Sequence, residues 1–146
     1  MDRSAITKGL LFLGAGALVG YLILWVGPEY FKAREDPRSV EHLRKVAAEI
    51  NRSVPVMIDQ ETELLPAVGA LGMLTYNYRL VSYSVTQLDA RKFAVGAKQR
   101  VTQGACGTPE TRDDFLKKGV TLRYSYYDRD KQHIATFDIT PVDCGF

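Results

Sequence analysis

The clearest feature of the hydropathy pattern is an uncharged apolar run over residues 9–27, GLLFLGAGALVGYLILWVG. At 1.5 Å per residue, a helix of this length spans about 28 Å, close to the roughly 30 Å hydrocarbon core of a bilayer. Tyr21 and Trp25 lie toward its C-terminal end, where aromatic rings favour the membrane–water interface. The run therefore predicts a transmembrane helix with the lipid bilayer as a partner. A cleaved signal peptide is the alternative, but the bulky residues that follow favour a retained anchor.

Helical periodicity appears at three places after this run. Asp36 and Pro37 form a start signal for a first helix, with Asp36 as N-cap. Its apolar positions recur at helical spacing, at Val40, Leu43, Val46, Ala47 and Ile50. A second helix is predicted over 87–105 and a short third helix over 108–119.

Alternating apolar and polar residues predict three strands, at 73–82, 120–127 and 133–140. Residues 54–58 are a further short strand candidate, and a turn containing Pro and Gly is predicted at 66–72. The order is one helix, two or three strands, two helices and two strands. It predicts an α+β fold, with a small antiparallel sheet and helices packed on one face.

These patterns predict four segments along the 146 residues. Residues 1–8 are a short N-terminal tail, 9–27 the transmembrane helix and 28–36 a juxtamembrane connector. Residues 37–146 form a single α+β domain.

Two cysteines, Cys106 and Cys144, are present in the whole chain. Two lone cysteines cannot make a structural zinc site without histidine partners, and neither histidine has ligand-like spacing. We expect a disulfide, which is typical of an oxidising compartment. The numbers of Lys and Arg flanking residues 9–27 do not fix an orientation, so this disulfide decides it. The tail is predicted in the cytoplasm and the domain in the periplasm, which makes a single-pass protein of the bacterial inner membrane.

The charge balance argues against several classes of function. Lys and Arg number 19 against 17 Asp and Glu, whereas a nucleic-acid-binding domain usually has a dominant basic footprint. The sequence contains no nucleophile elbow, phosphate-binding glycine loop, zinc-binding motif or cofactor fingerprint. We therefore expect no enzyme activity, cofactor, metal, nucleic acid or small-molecule substrate.

Two small residues mark a possible contact within the predicted membrane helix. Gly16 and Gly20 form a G-x-x-x-G pair, which lets two helix backbones approach closely. The pair predicts packing against another membrane helix, although glycine is also simply common in such helices.

Charged and aromatic residues supply candidate interaction surfaces. Asp59, Glu61 and Glu63 occur at i, i+2 and i+4, so an extended backbone puts their carboxylates on one side. Either they form a cation or docking site, or they are the charged edge of a sheet. The second predicted helix carries four basic residues, Arg91, Lys92, Lys98 and Arg100. Either they bind anionic lipid headgroups or an acidic partner, or they form a solvated helix face. Among the tyrosines, Tyr83 and Tyr127 are expected to be accessible.

Residues 51–146 contain segments that resemble a group of small bacterial envelope proteins with no assigned activity. The segments are VPVMIDQETEL, LTYNYRLV, GACGTPETR, KKGVTLRYSYYDRD and the C-terminal TPVDCGF. The resemblance implies an envelope location and the same pair of cysteines. It implies no catalytic residue.

Together these patterns predict a membrane-anchored, non-catalytic accessory or structural subunit of an envelope complex, of the secretion, conjugation or respiratory type. Its partner would be another membrane or periplasmic protein. The alternative is a periplasmic binding or inhibitor module, such as an immunity protein, and an enzyme of unrecognised type comes third.

Overall fold

The computed structural model describes residues 35–146, which contain three α-helices and five β-strands. In chain order these are α1 (Val40–Ile50), β1 (Val56–Met57), β2 (Thr62–Ala70), β3 (Met73–Leu80), α2 (Ala90–Gly107), α3 (Pro109–Asp114), β4 (Thr121–Tyr127) and β5 (His133–Ile139). Single 3-10 turns lie at Val85–Gln87, Leu116–Lys118 and Pro141–Cys144.

The five strands form one mixed sheet in the order β1-β2-β3-β4-β5. Most neighbours are antiparallel, but β3 and β4 are parallel, with Met73 opposite Thr121 and Arg79 opposite Tyr127. Parallel neighbours need a long crossover, and here α2 and α3 provide it. The predicted α+β class agrees with the structure, whereas the predicted antiparallel sheet is wrong. Alternation of side chains has the same period in both arrangements and could not distinguish them.

No helix of residues 35–146 is long and apolar enough to cross a membrane. The predicted fold of a transmembrane helix followed by a domain is corrected accordingly, and the bilayer gains no support as a partner. The predicted helix 9–27, with Gly16 and Gly20, lies outside the described residues, so the proposed helix packing and the domain bounds stay predictions.

Two local predictions also differ from the structure. Helix α1 begins after Ser39, whose hydroxyl accepts from the backbone N–H of His42 at 3.1 Å, while Asp36 only closes the preceding turn. The predicted turn at 66–72 is mostly strand, because β2 continues through Pro66 to Ala70. Its register with β3 shifts between Leu65 and Val68, an irregularity that accommodates a proline lacking an N–H.

A row of cross-strand neighbours defines the inner face of the sheet: Gly69, Leu74, Leu122 and Ile139. The three apolar side chains of this row are fully buried, as is Leu43 of α1. Helix α1 packs on β2 so closely that a Cβ at Gly69 would overlap the backbone of Leu43. Helix α2 contacts β5 and places Phe93 edge-on against Tyr126 of β4, with ring centroids 5.1 Å apart. Both helices therefore cover the inner face.

The β4–β5 connection depends on a buried carboxylate. Asp128 is 1% exposed and accepts the backbone N–H groups of Val85, Asp130 and Gln132, each at 2.8 Å. Burial raises the pKa of Asp128, but the three N–H groups outweigh it and the pKa is lowered overall. One side chain thus organises its own turn and ties it to the 3-10 turn before α2.

Cys106 and Cys144 are joined by a disulfide, with 5.4 Å between their Cα atoms. The bond links the last turn of α2 to the 3-10 turn that follows β5. It agrees with the pairing predicted from the sequence.

Two glycine-to-alanine substitutions should change stability in opposite directions. Gly69→Ala places a methyl group against the backbone of α1 and should destabilise the fold by about 1–3 kcal/mol, the usual cost of overpacking. Gly96→Ala lies in α2 with no heavy atom within 4 Å of the new Cβ, and should stabilise the fold by about 0.5–1 kcal/mol. Urea unfolding of both variants measures the difference. A neutral Gly69→Ala would contradict the tight α1–β2 contact.

Loss of the disulfide should lower stability substantially. Cys144→Ser removes a cross-link that closes a long loop, and we expect a loss of about 2–5 kcal/mol, measured by thermal unfolding with and without reductant. Replacing both cysteines should be no worse than replacing one. An unfolding midpoint that is the same with and without reductant would contradict this expectation.

Candidate functional site

An open groove of about 730 Å³ lies between α2 and the end of the sheet where β2 begins and β3 finishes. We call it the α2 groove. Its floor includes Leu80 of β3 and Tyr126 of β4, and Tyr83 and Leu88 line it beside them. The loop over 58–62 forms the wall opposite α2.

The α2 wall follows from the spacing of its side chains. The helix begins at Asp89, whose carboxylate accepts the backbone N–H of Lys92 at 3.0 Å. Phe93, Ala97 and Val101 then recur every four residues, which places them on one face of the helix and toward the floor. The wall next to the floor is therefore apolar.

The opposite wall is a short acidic loop held by hydrogen bonds. The Asp59 carboxylate accepts the backbone N–H of Glu61 at 2.8 Å and of Thr62 at 2.7 Å. The Tyr83 hydroxyl donates to the Glu61 carboxylate at 3.1 Å. The bond from the Glu61 backbone lowers the pKa of Asp59, and the bond to Glu61 raises the pKa of Tyr83. At neutral pH Asp59 is therefore ionised and Tyr83 protonated.

The groove contains charges of both signs on opposite walls. Asp59 and Glu61 lie on the loop, while Arg100 lies on α2. All three are exposed, and none has an ion-pair partner among residues 35–146. Burial raises the pKa of Tyr126 on the floor, while the charge of Arg100 lowers it and that of Asp59 raises it. Both charged walls thus act on the same hydroxyl.

A stack of tyrosine rings continues from the groove floor along the inner face of the sheet. Tyr126 is 5.1 Å from Tyr78, Tyr78 is 6.2 Å from Tyr124, and Tyr124 is 5.3 Å from Tyr76. Burial raises the pKa of all four hydroxyls, so they stay protonated at neutral pH. None of them hydrogen-bonds to another residue of the described chain. Of these four tyrosines, Tyr126 alone lines the groove.

The structure separates the three acids that the sequence put on one side. Asp59 and Glu61 precede β2 and share the groove wall. Glu63 belongs to β2 and pairs with Arg79 at 2.7 Å, in a cross-strand row that continues to Tyr127. This row lies on the outer face of the sheet, because it alternates with the buried inner positions.

The predicted basic surface is also divided. Arg100 faces the groove, whereas Lys98 approaches Asp143 at 3.8 Å near the disulfide. Arg91 and Lys92 are exposed in the first turn of α2. These four residues do not form one continuous patch.

Of the two tyrosines expected to be accessible, only Tyr83 lies at the groove. Tyr127 is on the outer face, edge-on to His133 with 5.8 Å between ring centroids. It lines a second, smaller cavity of about 300 Å³, together with Leu65, Asn77 and Lys131.

Leu80, Phe93 and Val101 line the groove but were not predicted as site residues. Each fits the periodic pattern of a core position, and no local signal distinguishes a core position covered by a helix from one left open. The place where α2 crosses the sheet decides which apolar positions line the groove.

The fold is shared with three solved structures of low sequence identity. One is a candidate secreted protein from Pseudomonas aeruginosa, with a TM-score of 0.64 and 18% identity, covering 77% of this chain and 97% of the other. The second is EpsS, the pilotin of the type 2 secretion system of Vibrio vulnificus. Its TM-score is 0.59 and its identity 12%, over 73% of this chain and 92% of EpsS. The third is AspS, the type II secretion system pilotin of Vibrio cholerae. Its TM-score is 0.57 and its identity 15%, over 72% of this chain and 91% of AspS.

At these identities the likeness shows a common fold. The sequence matches no family model and no curated protein.

The predicted localisation as a single-pass inner-membrane protein is corrected by these findings. No helix of the described residues could span a membrane, and the similar structures are pilotins and a candidate secreted protein.

The ordered acidic loop gives a testable pH dependence. Because backbone N–H groups stabilise ionised Asp59, its folded pKa lies below the ordinary value of about 3.9. The two hydrogen bonds should persist above that ordinary value and weaken only as the pH falls through the lower, folded pKa. In an NMR titration, the Glu61 and Thr62 amide shifts should move with a midpoint below about 3.9. Asp59→Asn should abolish the transition and Glu110→Gln, on α3, should not. A midpoint at or above the ordinary value would contradict the arrangement.

Proposed function

We propose that this chain is a non-catalytic accessory protein of a secretion-type assembly in the bacterial envelope, and that it works by binding an apolar segment of a partner protein in the α2 groove. The observation that carries the proposal is the groove itself: an open channel with an apolar α2 wall and an apolar floor, in a fold shared with two secretion pilotins.

The apolar surface of the groove can supply the binding energy. Burial of apolar area contributes about 25 cal/mol per Å², and aromatic side chains dominate the energy of most interfaces. Phe93 and Tyr126 already pack edge-on, so a partner would contact aromatic rings whose positions are fixed before binding. Such preorganisation reduces the entropy lost on binding.

The polar groups of the groove suit recognition better than proton transfer. A general acid or base works best with a pKa near the operating pH. The pKa of Asp59 is lowered and that of Tyr83 is raised, so each moves away from neutrality. Neither is poised to exchange a proton in a reaction at neutral pH.

The disulfide and the resemblance to envelope proteins support an exported location. A disulfide such as Cys106–Cys144 persists in oxidising compartments and is rare in the cytosol. An accessory role in secretion fits this setting better than the conjugation or respiratory alternatives, because the similar structures include two secretion pilotins.

A matched pair of substitutions on α2 tests the proposal. Val101→Asp places a carboxylate in the apolar wall, whereas Val95→Asp makes the same change where the side chain is 67% exposed and outside the groove. We expect the native chain and Val95→Asp to recover the same secretion components from cross-linked cells, identified by mass spectrometry. Val101→Asp should lose them, at a cost of about 2 kcal/mol or more, as expected for an interface hot spot.

Circular dichroism melts of both variants show whether each is folded. Equal recovery by the two variants would rule out the groove as the binding site. Recovery of one soluble partner unrelated to secretion would instead favour an inhibitor module.

A further inference from the structure

The charged groups of the α2 groove have no oppositely charged partner among residues 35–146, so their charges are not neutralised. Asp59 is bonded to two backbone N–H groups and Glu61 to a tyrosine hydroxyl. Arg100, on the facing wall, has no ion pair or hydrogen bond within residues 35–146. On the outer face, by contrast, Glu63 pairs with Arg79 at 2.7 Å, and charges there neutralise each other.

We propose that the segment bound in the α2 groove is an amphipathic helix. On one flank of its apolar stripe, a basic residue pairs with Asp59 and Glu61. On the other flank, an acidic residue pairs with Arg100. The inference rests on the proposed function and adds the conformation and charge pattern of the partner.

Charge complementarity supports this pattern. Two carboxylates and one guanidinium face each other across an apolar floor, so a partner without matching charges would leave them unpaired as water is displaced. The carboxylates are already ordered by their hydrogen bonds, which lowers the entropy cost of pairing them with a cation. The two flanks also fix the rotation of the helix in the groove, because its apolar stripe must lie between charges of opposite sign.

A helix fits the groove better than an added strand does. An extended segment that joined the sheet beside the 58–62 loop would pair with β1, which is two residues long and makes only two residue pairs with β2. So short an edge offers few main-chain hydrogen bonds. An amphipathic helix instead inserts side chains at i, i+3, i+4 and i+7 into an apolar groove, a common mode of recognition.

A random peptide library tests this inference on the full chain. Phage displaying peptides of about 18 residues, five helical turns, are selected against the immobilised protein, and the enriched peptides are measured by fluorescence anisotropy. We expect Leu, Ile, Met or Phe at helical spacing, with Lys or Arg on one flank and Asp or Glu on the other.

Isosteric variants separate charge from shape. Asp59→Asn with Glu61→Gln keeps the acceptor oxygens that order the loop but removes both charges, and should weaken binding of an enriched peptide about five- to tenfold. The matched control, Glu110→Gln with Asp114→Asn on α3, should change binding less than about twofold. Arg100→Glu should favour peptides in which the acidic flank is replaced by Lys.

The outcomes distinguish this inference from the proposed function. Enriched peptides that lack the paired flanking charges, yet lose binding in Val101→Asp, would overturn the charge pattern and leave the groove function standing. Peptides that bind in an extended conformation by circular dichroism would overturn the helix. No enrichment, or binding that is unaffected by Val101→Asp, would overturn both.

Discussion

The parallel pairing of β3 with β4 is the constraint on which the rest of the structure depends. Because both strands run in the same direction, the chain between them must return from one end of the sheet to the other, and it does so through α2 and α3. That return places α2 over β5 and leaves the α2 groove open beside the end of β3. The groove and the contact between Cys106 and Cys144 both follow from this path.

Charged side chains are paired on the outer face of the sheet but not at the groove. On the outer face, Arg123 makes a two-pronged ion pair with Asp138 at 2.7 and 2.9 Å, so opposite charges neutralise each other across neighbouring strands. At the groove, the carboxylates of Asp59 and Glu61 are satisfied by uncharged donors. Hydrogen bonding orders these two carboxylates without cancelling their charge, so they contribute a negative potential at the α2 groove.

A fold shared at 12–18% identity fixes an arrangement of elements and leaves the chemistry of the surface open. The groove residues of this chain, more than its fold, therefore bear on its function. In the proposed binding, Phe93 and Tyr126 would make the apolar contact, and Arg100 and the acidic loop would add its charges. A binding protein needs both, because apolar area supplies affinity while charge selects partner and orientation.

The sequence by itself determined most of the local elements and the covalent cross-link. The helical spacing from Val40 to Ile50 predicted α1 to within a few residues, the alternation in β3, β4 and β5 predicted those strands, and two cysteines allowed one disulfide. The tertiary structure alone decided that β3 and β4 are parallel, that Pro66 lies within a strand, and that Glu63 is separated from Asp59 and Glu61. It also decided which apolar positions are left open to form the groove. Periodicity reports which side chains share a face of one element, but strand direction and helix placement depend on contacts between residues far apart in the chain, and those contacts leave no trace in a local pattern.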